Sequence, residues 1–233
     1  MSGQSLALCA VCVLAYVAGR RVSRLPLPRA RVPFASPVIV GTALVCAFSC
    51  ALHVDRAIFA PVVQVATILL VPATMALALP VFRNRAVLGD RAVLAIASLV
   101  AGSFVAMLSG VILARALGLA PAFQGMLAIK SATSSVSLDI AHRHGLDPVA
   151  TAALVIGTGV FGAAFGPALL ALARVRHPIA RGLAYGSTSH AIGTARALVE
   201  GELTGAVSGV ALCLNAVFVS AIGPLAMWLA LSK

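Results

Sequence analysis

The sequence predicts an all-α fold, a polytopic helix bundle integral to the membrane, with about six to eight hydrophobic segments, one or two of them re-entrant or broken. Three observations carry that prediction. Hydrophobic residues make up 61% of the 233 positions and charged residues only 10%, where a soluble domain carries roughly 25% charged. Five stretches hold no Lys, Arg, Asp or Glu: Val32–His53, Ala57–Phe82, Ala92–Ala114, Pro148–Ala173 and Leu203–Ser232. Each is long enough to cross a hydrocarbon core of ~30 Å as a helix. Finally, two polar islands, Lys130–Asp139 and Gly186–Arg196, interrupt apolar sequence. Polar side chains in lipid must find partners within the protein or line a wet cavity.

The elements follow in order along one membrane domain, residues 1–233, with no linker long enough to divide it. Ser5–Gly19 is apolar and Arg20-Arg21 follow it. A cleaved signal peptide carries its charge before the apolar region, so this segment reads as a retained first helix. The loop Arg20–Pro33 holds five Arg and three Pro. Helices are expected over Phe34–Leu52, Ile58–Phe82, Ala92–Leu117, Pro148–Ala173 and Leu203–Leu231. Pro72, Thr74 and Pro80 mark a helix break in the second of these. Gly186 and Gly193 mark another within Ala180–Leu198, because glycine permits close approach or a broken helix. Trp228 suits an interfacial anchor.

Arginine placement sets the topology. Arg20, Arg21, Arg24, Arg29 and Arg31 put the first loop in the cytoplasm; Arg83, Arg85, Arg91 and then Arg174, Arg176, Arg181 belong there too. That assignment requires Phe123–Ala141 to begin and end on one side, as a re-entrant pair of half-helices does. For Ala180–Leu198, a full span and a re-entrant pair both remain open.

The net charge of +11 comes from fifteen Arg and two Lys against six acids. The bases lie in short loops without an aromatic-rich basic face, so anionic lipid is the expected partner and nucleic acid is not. Cys9-Ala10-Val11-Cys12 has redox-motif spacing, but it stands in an apolar helix with no polar neighbour to stabilise a thiolate. His142, His144 and Asp147 lack further ligands at suitable spacing, so no metal is expected. No nucleophile elbow, Walker loop, HExxH or Rossmann glycine pattern occurs, and neither an enzyme nor a cofactor is expected.

The polar islands hold the candidate binding residues. Lys130 precedes Ser131, Thr133, Ser134 and Ser135; hydroxyls and half-helix N-termini together make an anion-binding concavity. Two readings of Lys130 stand, a cation facing a cavity and a snorkelling or Asp139-paired lysine. In the second island, Ser187, Thr188, Ser189 and Gly193 flank His190, which is either a proton relay or a hydrogen-bonded packing residue. Arg196 either forks onto a carboxylate or pairs with Glu200 at i,i+4.

These islands resemble those of the LrgB/CidB family of bacterial membrane proteins, whose plant relatives include the plastid glycolate/glycerate translocator. Arg174-Val175-Arg176-His177-Pro178-Ile179-Ala180-Arg181-Gly182-Leu183-Ala184, running on through Gly186-Ser187-Thr188-Ser189-His190-Ala191-Ile192-Gly193-Thr194-Ala195-Arg196, is similar to the family's hallmark. So are Pro72-Ala73-Thr74 and the Lys130-Ser131 step. Where the family often has Val-Thr-Thr-Pro after that step, this chain has Ala132-Thr133-Ser134-Ser135, without the helix-breaking proline. The resemblance implies transport of small monocarboxylates (glycolate, glycerate, pyruvate or lactate) across the bacterial inner membrane. The alternative it implies is an antiholin-like role, modulating murein hydrolase export and lysis with a small holin-like partner of the LrgA/CidA type. Further copies of the chain, in a homo-oligomer, are the other expected partner. For transport, Lys130 or Arg196 would meet the carboxylate, Ser131, Thr133, Ser134, Ser135, Ser187, Ser189 and Thr194 its polar groups, and His190 a coupled proton.

Overall fold

The computed structural model describes residues 3–22, 37–76, 78–90 and 92–231, and its regular elements are all α-helices. Arg24, Arg29, Arg31 and Arg91, used above for topology, lie outside the described residues. Backbone contacts divide the chain into two compact units, Met1–Ala76 and Leu77–Lys233.

The first unit contains α1 (Gly3–Val22), α2 (Pro37–Ala51) and α3 (Arg56–Ala76), with α1 packed along both of the others. The sequence reading broke the third helix at Pro72. Instead α3 runs through both Pro61 and Pro72 to Ala76. A proline removes one backbone donor, and an apolar helix absorbs that loss by local adjustment. The expected helix over Ile58–Phe82 is therefore α3 and, separately, α4 (Ala78–Arg83); Leu77 between them and the side chains of Thr74 and Pro80 lie outside the description.

The second unit holds α4, α5 (Arg85–Asp90), α6 (Ala92–Ala116), α7 (Pro121–Ile129), α8 (Ser134–Arg143), α9 (Pro148–Leu172), α10 (Pro178–Glu200) and α11 (Glu202–Leu231). Three of these helices open on proline: Pro121, Pro148 and Pro178. There the missing N–H would be unpaired anyway. Asp147 caps α9 by accepting from Val149 N at 2.7 Å and Ala150 N at 3.0 Å. His144 Nδ1 lies 2.9 Å from Ile140 O at the end of α8. His144 and Asp147, in the turn between α8 and α9, thus both serve as helix ends.

Gln4–Val22, Ala92–Ala116, Pro148–Leu172 and Glu202–Trp228 are long and apolar enough to cross a membrane. The chain is a multi-pass membrane protein. Its polarity runs outside in: Leu172, Val93 and Val199 are among the exposed apolar side chains, while Ser103, Ser137, Thr151, Thr194, Ser208 and Asn215 are buried.

α7 and α8 form a hairpin that enters and leaves at the same level. The proof is its position along α11. A Cβ on Gly125, midway along α7, would meet Met227, and Leu146, just past α8, lies against the same point. Further along, a Cβ on Gly223 would meet both Ile140 of α8 and Ile129 of α7. The turn itself reaches Asn215, whose Nδ2 donates to Ser131 O at 2.7 Å. Met107, Met126, Ile129, Ala132, Ile140, Ala141, Leu146, Val219 and Met227 form the apolar cluster that seats this hairpin against α6 and α11.

α10 is a second hairpin. Its helical course breaks at His190 (φ 43°, ψ −137°) into limbs 178–189 and 191–200. The limbs return to a common base, where Arg181 Nε and Nη2 donate to Glu200 Oε2 and Oε1 at 2.7 and 2.9 Å. A continuous helix would hold residues 19 apart ~28 Å from each other. The question left open over Ala180–Leu198 is answered: the segment re-enters. The reversal falls on His190, while Gly186 and Gly193 stay helical. A Cβ on Gly186 would meet the backbone oxygen of Ser208 on α11, and one on Gly193 the oxygen of Tyr185 across the hairpin. These glycines serve close approach, which small residues permit between helices lacking a hydrophobic drive.

The hairpins open at opposite ends of the bundle. Thr204 O lies at Gly182, in the second turn of α10, and Met227 lies at Gly125, midway along α7; α11 connects the two levels. α6 does the same, with Leu94 and Ser98 lining a groove with His177 and Leu183, and Arg115 Nε donating to Gln124 Oε1 at 3.0 Å. In outline, α6 leads into one hairpin and α9 into the other, and the two run in opposite directions.

Candidate functional site

The two hairpin tips meet in the interior of the second unit. His190 Nε2 lies 3.3 Å from Lys130 O. Around that junction the polar groups form a chain. Ser103 Oγ of α6 donates to Asn215 Oδ1 at 2.6 Å, and Asn215 donates on to Ser131 O. Ser137 Oγ ties the start of α8 back to Ile129 O at 2.8 Å. On the α10 side, Thr194 Oγ1 donates to His190 O at 2.9 Å and lies 2.8 Å from Ser208 Oγ of α11. Thr188 and Ser189 hydroxyls are 3.2 Å apart.

One group in this cluster is unmatched. Ser131 is 2% exposed, and among the described residues its Oγ is the buried side-chain oxygen with no hydrogen-bond partner. Leaving a buried hydroxyl unpaired costs about 1–3 kcal/mol. A buried hydroxyl without a protein partner leaves its hydrogen-bonding capacity open to a group from outside the protein.

Two half-helices also begin at the junction. α8 starts at Ser134 after its N-cap Thr133, whose side chain accepts from Val136 N at 3.4 Å. The returning limb of α10 starts just after His190. The first amides of each limb lack intrahelical partners and carry the positive end of the helix dipole. The missing proline of the first island therefore does not prevent a break: the turn 130–133 separates the half-helices without it.

The structure brings some of the expected site residues together and separates others. Ser131, Thr133, Ser187, Ser189, His190 and Thr194 stand at or within two turns of the tips, with Ser131, Ser187, Ser189, His190 and Thr194 buried. Ser134 and Ser135 are exposed on the first turn of α8. Lys130 directs its ammonium onto Ala106 O and Leu127 O, each at 3.3 Å. Arg196 lies down the returning limb, with Nη2 3.6 Å from Glu200 Oε1. That is the i,i+4 pair, part of a base cluster in which Tyr185 Oη also donates to Glu200 Oε1 at 2.7 Å.

Glu200 sits outside the four long apolar spans. Burial works to raise its carboxyl, but the donors Arg181 and Tyr185 outweigh burial and hold it below the ordinary carboxylate range. The hydrogen bond to Glu200 in turn holds the Arg181 guanidinium further up.

Sequence reasoning missed Ser103, Ser208 and Asn215. Asn215 had a visible signal, an amide in the middle of the charge-free run Leu203–Ser232; an amide inside an apolar helix has to bond across to another helix.

A sequence profile of the LrgB-like family matches residues 12–229. The chain is 34% identical over 218 residues to the uncharacterized protein YxaC of Bacillus subtilis, covering 93% of each. It is 32% identical over 148 residues to the holin-like protein CidB of Staphylococcus aureus, covering 64% of this chain and 65% of that protein. It is also 32% identical over 156 residues to the antiholin-like protein LrgB of Bacillus cereus, covering 67% and 68%. No solved structure matches.

Proposed function

The chain belongs to the LrgB-like family, and we propose that it carries small monocarboxylates, of the glycolate, glycerate, pyruvate or lactate class, across the plasma membrane. The observation that supports this most is the unpartnered, buried Ser131 hydroxyl where two opposed hairpins touch. A carboxylate placed there takes donors from Ser131 and from the opening amides of two half-helices, whose dipoles favour negative charge. His190, bonded across the junction, is in position to move a proton with the anion. Opposed re-entrant hairpins around a mid-bundle site are a transporter architecture. By the arginine rule, the base at Arg174, Arg176 and Arg181 faces the cytoplasm.

The test is uptake of labelled glycolate and pyruvate into proteoliposomes, with Ser131→Ala and His190→Ala beside the parent. Uptake by the parent above empty vesicles, lost in Ser131→Ala, supports the reading. A parent no faster than empty vesicles ends it.

A second reading draws on the names of the relatives, a holin-like CidB and an antiholin-like LrgB. In it the chain modulates lysis together with a small holin-like membrane protein. Co-purification with such a protein, and a lysis phenotype unchanged by Ser131→Ala and His190→Ala, would favour it. A lysis phenotype that follows flux across the tip variants would make lysis a consequence of transport.

A further inference from the structure

The C-terminal end of a half-helix at membrane depth presents unmet carbonyl oxygens and the negative end of the dipole. Carriers with discontinuous helices commonly meet such ends with a bound sodium ion or proton. Here the end of α7 is met from within the chain. Lys130 is the C-cap residue of α7. Its ammonium turns back onto Leu127 O of its own helix and across onto Ala106 O of α6, which also accepts from Ser109 Oγ at 3.2 Å. Gly110 of α6 makes the space: a Cβ there would lie 2.9 Å from Lys130 Nζ and 2.9 Å from Leu127 O. Two carbonyls further on are taken by other donors. Ile129 O accepts from Ser137 Oγ and Ala132 N, and Ser131 O from Asn215. Lys130 O faces the His190 ring.

We infer that the Lys130 ammonium is a built-in cation occupying the position of a coupling ion. The protein works without sodium, and removing the ammonium uncovers a monovalent-cation site made by Ala106 O and Leu127 O in the notch at Gly110. Lys130 then acts on an anion through its charge, one step behind the tips. The statement about coupling rests on the carrier reading; the occupied cation site does not.

The test is thermal melting of purified parent, Lys130→Met and Lys130→Ala in sodium, lithium or choline chloride at equal ionic strength. The parent is expected to melt at one temperature in all three. The variants are expected to melt lower in choline and to regain about 4 °C in sodium or lithium. Variants indifferent to every small cation overturn the inference, as does a parent stabilised by sodium. Should neither variant purify, the parent decides alone: equal melting in sodium and choline supports the inference, and a sodium-dependent rise overturns it. A parent that carries no acid ends the carrier reading and leaves this melting test intact.

Discussion

The imidazole of His190 touches the carbonyl oxygen of Lys130 across 60 residues of sequence, Nε2 to O at 3.3 Å. That contact joins the tip of a hairpin entering from one end of the bundle to the tip of a hairpin entering from the other. It also comes from a strained residue. His190 holds φ 43° and ψ −137°, a conformation that side chains with a Cβ adopt only at a cost of order 1–3 kcal/mol.

His190→Gly and His190→Ala therefore separate the ring from the backbone. Alanine loses the hydrogen bond and keeps the strain; glycine loses the bond and relieves the strain. The glycine variant is expected to be more stable than the alanine variant by about 1 kcal/mol, read as a higher melting temperature, while both lose uptake. Alanine equal to or above glycine would contradict the backbone geometry at this tip.

Asn215 is the hinge pin between α6 and the first tip, accepting from Ser103 and donating to Ser131 O. Asn215→Leu leaves both partners unpaired inside the protein, at about 2–3 kcal/mol. Ser103→Ala leaves one amide oxygen short and costs about 1 kcal/mol. The double variant is expected to melt close to Asn215→Leu alone, because the second change removes a group already orphaned. Simple additivity would show that the two do not share a network.

Gly162 of α9 faces the α10 hairpin and Gly186 lies within it, facing α11, and what a methyl would strike differs. At Gly162 it meets the side chain of Ser189; at Gly186 it meets the backbone oxygen of Ser208. Each alanine variant is expected to cost about 1–3 kcal/mol. Ser189→Ala removes the nearer obstacle, the hydroxyl, and leaves the Ser189 Cβ 2.7 Å from the added methyl, so it is expected to restore part of the melting temperature that Gly162→Ala loses. No side-chain change at 208 can rescue Gly186→Ala, since the obstacle is main chain. Rescue of both, or of neither, would refute this packing.

Much of the fold was legible in the sequence because lipid imposes a simple rule. Charge-free runs long enough to span become α6, α9 and α11 with bounds close to those expected. The same-side geometry of Phe123–Ala141 followed from arginine counting and is the α7–α8 hairpin. The second hairpin was not decidable, since its evidence is a contact between Arg181 and Glu200, 19 residues apart. Spacing alone linked Glu200 to Arg196, which is its weaker partner at 3.6 Å. The break at His190 hid behind the two glycines beside it. Glycine signals freedom, and here Gly186 and Gly193 use their lack of a side chain for packing, while a histidine takes the turn.

The Arg181–Glu200 pair makes acid a probe of the second hairpin. Both side chains are largely covered, at 16% and 14% exposed. Glu200 is held below the ordinary carboxylate range by its donors. A carboxyl depressed in the folded state stabilises above its unfolded value of about 4.3. That contribution is lost as pH falls through the lower folded value. Glu200→Gln is expected to melt below the parent at neutral pH, at a cost of roughly 2 kcal/mol. The gap closes as pH drops below about 4. A gap that stays constant from neutral pH into acid would mean that the base is held by packing and not by charge.

Ser131 gives the sharpest division between stability and function. Its hydroxyl is buried and unpartnered, so Ser131→Ala removes a desolvated group that returns nothing to the folded state. The variant is expected to melt higher than the parent by about 1 kcal/mol of added stability. Its methyl fits where the serine Cβ already stands, and the backbone bond from Asn215 to Ser131 O is untouched. Uptake, by contrast, is expected to fall at least tenfold, because a site built to bond a polar solute loses one donor at its centre. Ser131→Thr keeps the hydroxyl and adds a methyl, so it should retain more flux than alanine while losing stability to overpacking. Melting temperature and initial uptake rate, measured on the same three preparations, decide the matter. An alanine variant that is less stable than the parent and transports normally would make Ser131 an ordinary structural serine with a partner of its own.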